Sequence, residues 1–302
     1  MTDIINKIKS YLRDVVVYLL KLRIDVNNQN NLIIKNKILT QILAYSNKGL
    51  EWESFHMRKK IFGEPKYCSP PIKKIPQNLI DKFTMNGIAE IEESWEDRTY
   101  PDNWPLIYCD FEINYYMKQI KNKKSFVYGM TDVWLQEGFK KYPIKNKNVV
   151  NMGSLTPWYE SMCLVYGAKS TTIDYNKIIS FSKKIKTITI NDWEKSKVKF
   201  DVALSISSFE HDGLGMYGDP IDPDGDLKAM KKMKKILKKN GILFLSIPIG
   251  KDKILWNNAR IYGKFRLKKL IKEWKLLDTF GLQEIHLNGP GHIQPIFVLE
   301  NK

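Results

Sequence analysis

The residues best suited to chemistry lie in one short stretch, SSFEHDGLGMYGDPIDPDGD, which runs from Ser207 to Asp226. It follows an apolar run, FDVALSI, that predicts a buried strand, so Glu210 and His211 stand just beyond a strand end. A histidine with an ordinary pKa of about 6.5 can accept the proton of a hydroxyl group during a transfer reaction. We therefore predict His211 as a general base, with Glu210 orienting groups or hydrogen-bonding inside the site. The alternative is a structural histidine bonded to a nearby backbone carbonyl.

The remaining acids of this stretch raise the question of a metal ion. Its DPDGD segment is faintly similar to a calcium-binding loop, but the ligand spacing and the distal bidentate glutamate are missing. Two prolines and Gly225 predict tight turns instead, with Asp226 as the N-cap of the next helix. A helix N-terminus also favours negative charge. We predict turns and a helix cap here, and no metal.

Strand-like and helical runs alternate after residue 145, which predicts βαβ units and a largely parallel sheet. Two closing strands separated only by GPGH predict an antiparallel hairpin at the sheet edge. Ligands in such folds bind at the carboxyl ends of the strands. The predicted strands are 149–154, 170–174, 188–192, 199–207, 242–250, 282–288 and 293–301, and the predicted helices are 158–168, 225–241 and 264–281.

Three of the predicted strands end in residues that suit a nucleoside ligand. Gly153 closes the first strand and Asp174 ends the second, 21 positions later. A glycine in the first turn lets the backbone approach a ligand, and an acid about 20 residues on can bind a ribose diol. At the end of the third strand, Asp192 can accept from an adenine amino group and Trp193 can stack on the ring. Alternatively, Gly153 is a plain turn, Asp174 a solvated strand end and Asp192 a helix cap.

The order of these runs, over about residues 147–302, resembles the class I S-adenosylmethionine-dependent methyltransferases. The resemblance is carried by VVNMGS, TTIDYN, INDW, FDVALSISSFEH and LKAMKKMKKILKKNGILFLSIP. The motif SSFEHDGLGxYGDPxDPDGD also resembles a family known only as a domain of unknown function, first noted in nematodes and frequent in bacterial surface-polysaccharide gene clusters. The resemblance implies a Rossmann-like fold and a methyltransferase that acts on an oxygen of a sugar, sugar nucleotide or surface-glycan precursor.

The same resemblance implies S-adenosylmethionine as the cofactor and S-adenosylhomocysteine as the product. The cofactor-binding residues it implies are Gly153, Asp174, Asp192, Trp193 and Ser207. In the substrate site we expect an aromatic ring to stack on a sugar, a cation to pair with phosphate, and a second histidine to serve as an alternative base. The substrate-binding residues are Asp212, Tyr217, Trp256, Arg260 and His292.

One departure from the methyltransferase pattern keeps other functions open. The turn MGSLTPWYE has a single glycine, where the family usually has several, and larger side chains stand at Leu155 and Pro157. The alternatives are a catalytically degenerate methyltransferase fold that binds a partner or sugar, and a different sugar-processing enzyme on the same scaffold.

The composition narrows the class of protein. The chain has 302 residues and a formal charge of +16, but only six of its basic residues are arginine. Readers of nucleic acid use arginine for bidentate contacts, and no nucleic-acid-binding motif is present. We therefore predict no nucleic-acid partner, and a small-molecule or glycan substrate that can be anionic.

The rest of the chain gives weaker signals. We predict a mostly helical N-terminal region of unknown role at 1–145 and a Rossmann-like domain at 146–302. The helical spacing at 4–22 indicates a packed amphipathic helix or, alternatively, a peripheral membrane helix. Three distant cysteines and the lack of a signal-peptide pattern indicate a cytoplasmic protein. The sequence leaves the oligomeric state open.

Overall fold

A computed structural model describes residues 69–99, 105–108, 110–124, 128–289 and 291–302, without the side chain of Phe111. The helix predicted at 4–22 lies outside the described residues. Before residue 145 the elements are a 3-10 turn at Gln77–Leu79, then α1 (Ile80–Thr84), β1 (Glu90–Glu93), β2 (Leu106–Tyr108), α2 (Asp110–Lys121) and α3 (Met130–Lys141).

The later elements alternate between strands and helices, as predicted. They are β3 (Asn148–Met152), α4 (Trp158–Val165), β4 (Lys169–Asp174), β5 (Ile178–Ser180), β6 (Ile185–Thr189), α5 (Ile190–Ser196), β7 (Phe200–Ile206), a 3-10 turn at Phe209–His211, α6 (Gly225–Ile236), β8 (Leu237–Ser246), β9 (Lys253–Trp256), β10 (Ala259–Ile261), α7 (Lys264–Ile271), β11 (Lys275–Phe280), a 3-10 helix at Glu284–Asn288 and β12 (Ile296–Glu300).

A seven-stranded sheet organises the molecule, in the order β11-β12-β8-β7-β3-β4-β6. Within it β12 runs antiparallel to both neighbours, and the other pairs are parallel. The chain enters at β3, builds outward through β4 and β6, and then returns to the other side of β3 to lay down β7 and β8. The Rossmann-like, methyltransferase-type fold is therefore confirmed, and its switch point lies between β3 and β7.

Two hydrophobic layers cover the sheet, because neighbouring strand residues point to opposite faces. Val150, Leu243 and Leu245 pack with α6 on one face. Val149 and Phe244 pack with α3 and α4 on the other. Strands buried on both faces read as continuous apolar runs, which explains FDVALSI and ILFLSI.

Two smaller sheets join segments on either side of residue 145. β1 pairs in parallel with β9, which also pairs with β10, and β2 pairs in parallel with β5.

None of the helices among the described residues has both the length and the apolar character needed to cross a bilayer.

The predicted helix at 225–241 is too long. It ends at Ile236, and β8 begins at Leu237, which pairs with Phe200 of β7. The Asn301 side-chain amide donates to the carbonyls of Lys234 and Lys238, at 3.0 and 3.1 Å. These bonds satisfy carbonyls at the helix end and just beyond it. Because Asn301 is distant in sequence, a local pattern does not show where the helix ends.

The structure confirms the predicted antiparallel pair of strands at the sheet edge, but the first strand of the pair is not the one predicted. The helix predicted at 264–281 ends at Ile271, and residues 275–280 form β11, which pairs with β12. The expected strand at 282–288 contains a 3-10 helix instead. Gly281 explains the break: its φ is +81°, and a Cβ there would lie 2.4 Å from the Trp134 ring, so the chain turns sharply after β11.

Candidate functional site

The loops after β3 and β7 touch at the switch point of the sheet. Gly153 has a φ of +63°, a conformation that favours glycine, and a Cβ there would lie 2.5 Å from Ser208 Oγ. Its N–H donates to the carbonyl of Ile173 in β4, at 3.3 Å. The turn after β3 is therefore held by the ends of both neighbouring strands, β4 and β7. It leaves no room for a side chain, which explains why a glycine stands here.

Asp174 ends β4 beside this turn. Its carboxylate accepts from the N–H of Asn176 at 2.7 Å, and the nearby backbone N–H groups of Tyr175 and Ser154 also favour its charged form. Burial raises the pKa of Asp174 to about 6, although these hydrogen bonds act in the opposite direction. The next side chain, Tyr175, is 67% exposed. A carboxylate and an open aromatic ring thus stand together beside the glycine turn.

A second carboxyl group, which sequence reasoning missed, lies beneath this turn. Glu160 in α4 is fully buried and accepts from Thr172 Oγ1 at 2.7 Å. Its Oε2 has no hydrogen-bond partner among the described residues. Burial raises its pKa to about 7. The sequence does contain a signal that could have revealed this residue, namely an acid within the mostly apolar run WYESMCLV.

Beyond β7, three polar side chains form a buried network. Ser207 has a φ of +52°, and its hydroxyl donates to Glu210 Oε1 at 2.6 Å. Gln294, just before β12, donates to Ser207 Oγ at 2.9 Å. Glu210 is fully buried, and burial raises its pKa. Its Oε2 has no partner among the described residues, so a donor from a ligand would satisfy it.

His211 is bonded to a backbone carbonyl through one ring nitrogen, and the other has no hydrogen-bond partner among the described residues. Its Nδ1 lies 2.6 Å from the carbonyl oxygen of Asn258, so Nδ1 carries the proton and donates. In the neutral ring this leaves Nε2 as an acceptor, 3.8 Å from Glu210 Oε1. The ring also meets Tyr217 edge-on, with centroids 5.6 Å apart. Both sequence-based readings of His211 are compatible with this geometry, and its role as a base stays a prediction.

Arg98 adds a cation that sequence reasoning missed. Its N–H donates to the carbonyl of Met216 at 3.0 Å, and its Nε donates to Glu96 at 2.6 Å. Burial raises the pKa of Tyr217, and the charge of nearby Arg98 acts in the opposite direction. The contact spans more than 100 positions of sequence, so no local pattern could reveal it.

Two residues predicted to contact adenine are engaged elsewhere. β6 ends at Thr189 rather than at Asp192, which lies in the first turn of α5. The two side chains form a capping box, and the hydrogen bonds from Thr189 lower the pKa of Asp192. The Trp193 indole is 3% exposed, donates to the carbonyl of Val198 and lies under Lys197 Nζ. The structure does not bring an open ring face of Trp193 to the site.

Arg260 holds the loop after β7 in place rather than facing open space. Its buried guanidinium donates to the carbonyls of Asp212 at 2.6 Å and Asp222 at 3.2 Å. Trp256 is also buried and packs edge-on against Phe83. Neither side chain presents a free surface for a sugar or a phosphate.

The remaining substrate candidates lie in different surroundings. The pKa of the Asp212 carboxyl is raised well above its ordinary value by burial and by Asp219. His292 is exposed in the segment before β12. Tyr217 lies against His211, as described above. The structure therefore brings Glu210, His211, Asp212 and Tyr217 together, and their contact with a substrate stays a prediction.

The acids of the loop have structural partners. Asp219 accepts from the N–H of Gly213 at 2.6 Å, and Asp222 pairs with Lys228. Asp226 is not the predicted N-cap, since α6 begins at Gly225 and Asp224 holds the N-cap position; Asp226 is fully buried and paired with Arg266. Among the described residues, no group of three or more His, Cys, Asp and Glu side chains is arranged to hold a metal ion.

Comparison with known sequences singles out the part of the chain that carries this site. Residues 146–288 match one family model. It is described as Caenorhabditis protein of unknown function, DUF268. The DUF268 segment begins just before β3 and includes Gly153, Asp174, Glu210 and His211. No curated protein sequence matches the chain.

Several solved structures resemble the chain at low sequence identity. One is the 1,6-didemethyltoxoflavin-N1-methyltransferase of Burkholderia thailandensis, solved with S-adenosylhomocysteine. It matches at 12% identity and a TM-score of 0.42, over 62% of this chain and 86% of its own length. Another is an S-adenosylmethionine-dependent methyltransferase from Clostridium acetobutylicum. It matches at 13% identity and a TM-score of 0.39, over 62% of this chain and 96% of its own length. A third, from Streptococcus mutans, matches at 12% identity and TM-score 0.35, over 55% of this chain and about half, 47%, of its own length.

Proposed function

We propose that the chain binds S-adenosylmethionine at the carboxyl edge of the central sheet and transfers its methyl group to an oxygen atom. The observation that carries the proposal is the junction of Gly153 and Asp174 at the topological switch point. The Gly153 N–H donates to the carbonyl of Ile173, next to Asp174, so the two elements that would hold a ribose and its chain are already in contact.

The residues present fit such a cofactor at both ends. Asp174 would accept from the ribose hydroxyls, and the exposed Tyr175 ring stands next to it. At the other end, the orphaned Oε2 of Glu210 would accept from an ammonium or hydroxyl donor. S-adenosylmethionine supplies an electrophilic methyl group on a sulfonium sulfur.

The acceptor chemistry follows from His211. His211 Nε2 would accept the proton of the acceptor hydroxyl, which would make the acceptor oxygen nucleophilic toward the methyl group that the cofactor would supply. The bond from Nδ1 to the Asn258 carbonyl keeps Nε2 free to accept it. A hydroxyl acceptor needs such a base, and we propose a sugar, sugar nucleotide or glycan precursor as its source. Aligning the two reacting atoms would supply much of the rate.

A second candidate is a binding protein on the same fold without catalysis. The observation in its favour is that backbone donors already occupy part of the Asp174 carboxylate. Calorimetric titration with S-adenosylmethionine and S-adenosylhomocysteine separates this candidate from the proposed enzyme, because a fold that has lost the cofactor site binds neither ligand.

We expect micromolar binding of both ligands to the full chain, weakened at least tenfold by Asp174→Asn, which removes the charge and keeps the shape. Asp201→Asn is the matched control, because Asp201 lies at the opposite end of the sheet, near the start of β7, and pairs with Lys238. A folded protein that binds neither ligand would overturn the cofactor assignment. Equal losses in the two variants would overturn the role of Asp174.

A further inference from the structure

Lysines mark the amino edge of the central sheet, opposite the candidate site. Each of the six strands that run in the same direction begins at, or within two residues of, a lysine. The carboxyl edge carries acids in the corresponding places, such as Asp174 and Glu210. We call the following six residues the basic rim: Lys147, Lys169, Lys184, Lys199, Lys239 and Lys275.

Most of the basic rim lacks acidic partners. Lys275 pairs with Glu300 at 2.7 Å, and Lys184 lies 3.6 Å from Asp110. The other four have no carboxylate within 4.0 Å of Nζ among the described residues: Lys147, Lys169, Lys199 and Lys239. Uncompensated like charges at one edge repel each other, so a partner with negative charge would relieve that repulsion.

A lysine-lined groove opens at the same edge. A cavity of about 570 Å³ lies where α5, α6 and α7 end and β7, β8 and β11 begin. Trp193 and Glu273 contribute to its wall, and the other lining residues are all lysines: Lys197, Lys199, Lys231, Lys234 and Lys235. One of these, Lys234, lies 3.9 Å from Glu273, so the wall keeps a clear excess of positive charge.

Exposed aliphatic side chains stand among these lysines. Val198 is 45% exposed between Lys197 and Lys199, and Leu276 is 48% exposed beside Lys275. Lysines around exposed aliphatic groups suit the interface of a bilayer, where apolar side chains enter the acyl boundary and ammonium groups meet phosphates. The described arginines lie elsewhere, since Arg260 and Arg266 are buried in the loop network. Among the described residues, this edge therefore lacks the bidentate groups that read nucleic acid.

We propose that the amino edge of the central sheet docks on an anionic lipid bilayer, with the basic rim against headgroup phosphates and a headgroup in the lysine-lined groove. Strands of a parallel sheet present their two ends in opposite directions. Docking at this edge leaves the carboxyl edge, where Asp174 and His211 lie, facing water.

The test is sedimentation of the full chain with vesicles. We expect binding to phosphatidylcholine vesicles that contain about 30 mol % phosphatidylglycerol, little binding to phosphatidylcholine alone, and a loss of binding as salt rises. Each lysine near the surface contributes about a fivefold change in partition. Changing Lys147, Lys169, Lys199 and Lys239 together to Gln should therefore lower the partition coefficient at least about 100-fold.

The matched control removes the same charge from the other side of the molecule. We expect Lys73, Lys74, Lys82 and Lys251 changed to Gln to alter partition by less than about threefold, because α1 and β9, near which they are found, lie beyond the carboxyl end of β8 and not at the docked edge. A separate variant, Val198→Ser with Leu276→Ser, keeps the charge and should weaken binding about fivefold. Circular dichroism confirms that each variant is folded.

Three results would overturn the proposal. The first is equal binding to neutral and anionic vesicles, and the second is an equal loss in the two lysine variants. The third is tight binding of a single-stranded RNA probe by a chain that leaves the vesicles in solution, which would assign the same lysines to nucleic acid.

Discussion

Replacing Glu160 with Gln should stabilise the protein at high pH and leave it nearly unchanged at low pH. The carboxyl group of Glu160 has an ordinary pKa of 4.5, and burial raises its pKa to about 7 in the folded chain. Between these values the unfolded chain has lost the proton and the folded chain keeps it. The free energy of unfolding therefore falls as pH rises through this window.

The size of the effect follows from the two pKa values. A change from 4.5 to about 7 corresponds to about 3 kcal/mol once both states are ionised. Gln keeps an acceptor for Thr172 Oγ1 and carries no charge, so it removes the cost of a buried carboxylate. We expect Glu160→Gln to be more stable by about 3 kcal/mol at pH 8.5 and by less than about 0.5 kcal/mol at pH 4.5.

Urea unfolding followed by tryptophan fluorescence measures the difference at each pH. Glu137→Gln is the matched control: Glu137 lies in α3 with an exposed side chain, so its replacement should give no pH-dependent difference. A Glu160→Gln variant that is less stable at pH 8.5, or whose advantage is constant across pH, would refute the reasoning. Either result would mean that the folded chain accommodates the Glu160 charge at little cost.

Three further substitutions test the packing around the site by the same unfolding measurement. Gly153→Ala should cost about 1–3 kcal/mol, because φ is positive and the added Cβ meets Ser208 Oγ; Ser208→Gly in the same chain should restore part of the loss. Asp226→Asn should cost about 3–5 kcal/mol, because it leaves buried arginines without their carboxylate, whereas Asp224→Asn, with a 62% exposed side chain, should cost less than about 1 kcal/mol. Asn301→Ala should cost about 1 kcal/mol by freeing the carbonyls at the end of α6; no loss would show that water satisfies them equally well.

The sequence predicted the parts of the fold that depend on local pattern. Apolar runs located the buried strands, and their ends placed Gly153, Asp174 and His211 at one edge of a parallel sheet. Errors arose where an element ends because of a distant contact. α6 stops where Asn301 meets its carbonyls, and α7 stops because residues 275–280 pair with β12.

The residues of the site divide in the same way. Glu210 and His211 follow a strand that is visible as an apolar run, whereas Gln294 reaches Ser207, and Arg98 reaches Met216, from far along the chain. Trp193 shows a different limit. Its position after a strand suggested an open ring, but the capping box at Thr189 starts α5 early and turns the indole into the core. The direction of a side chain after a strand depends on the residue at which the next helix begins. The pattern of apolar residues in the strand does not show that residue.

The place of β12 between β8 and β11 has a consequence for synthesis on the ribosome. β8 gains its second neighbour only when residues 296–300 have emerged, and β11 has no neighbour in the sheet before then. Until that moment the growing chain displays a bare strand edge, a template for pairing with other nascent chains. Completion of the sheet is thus a late, long-range event, and we expect a chain truncated before β12 to aggregate rather than to fold into a smaller domain.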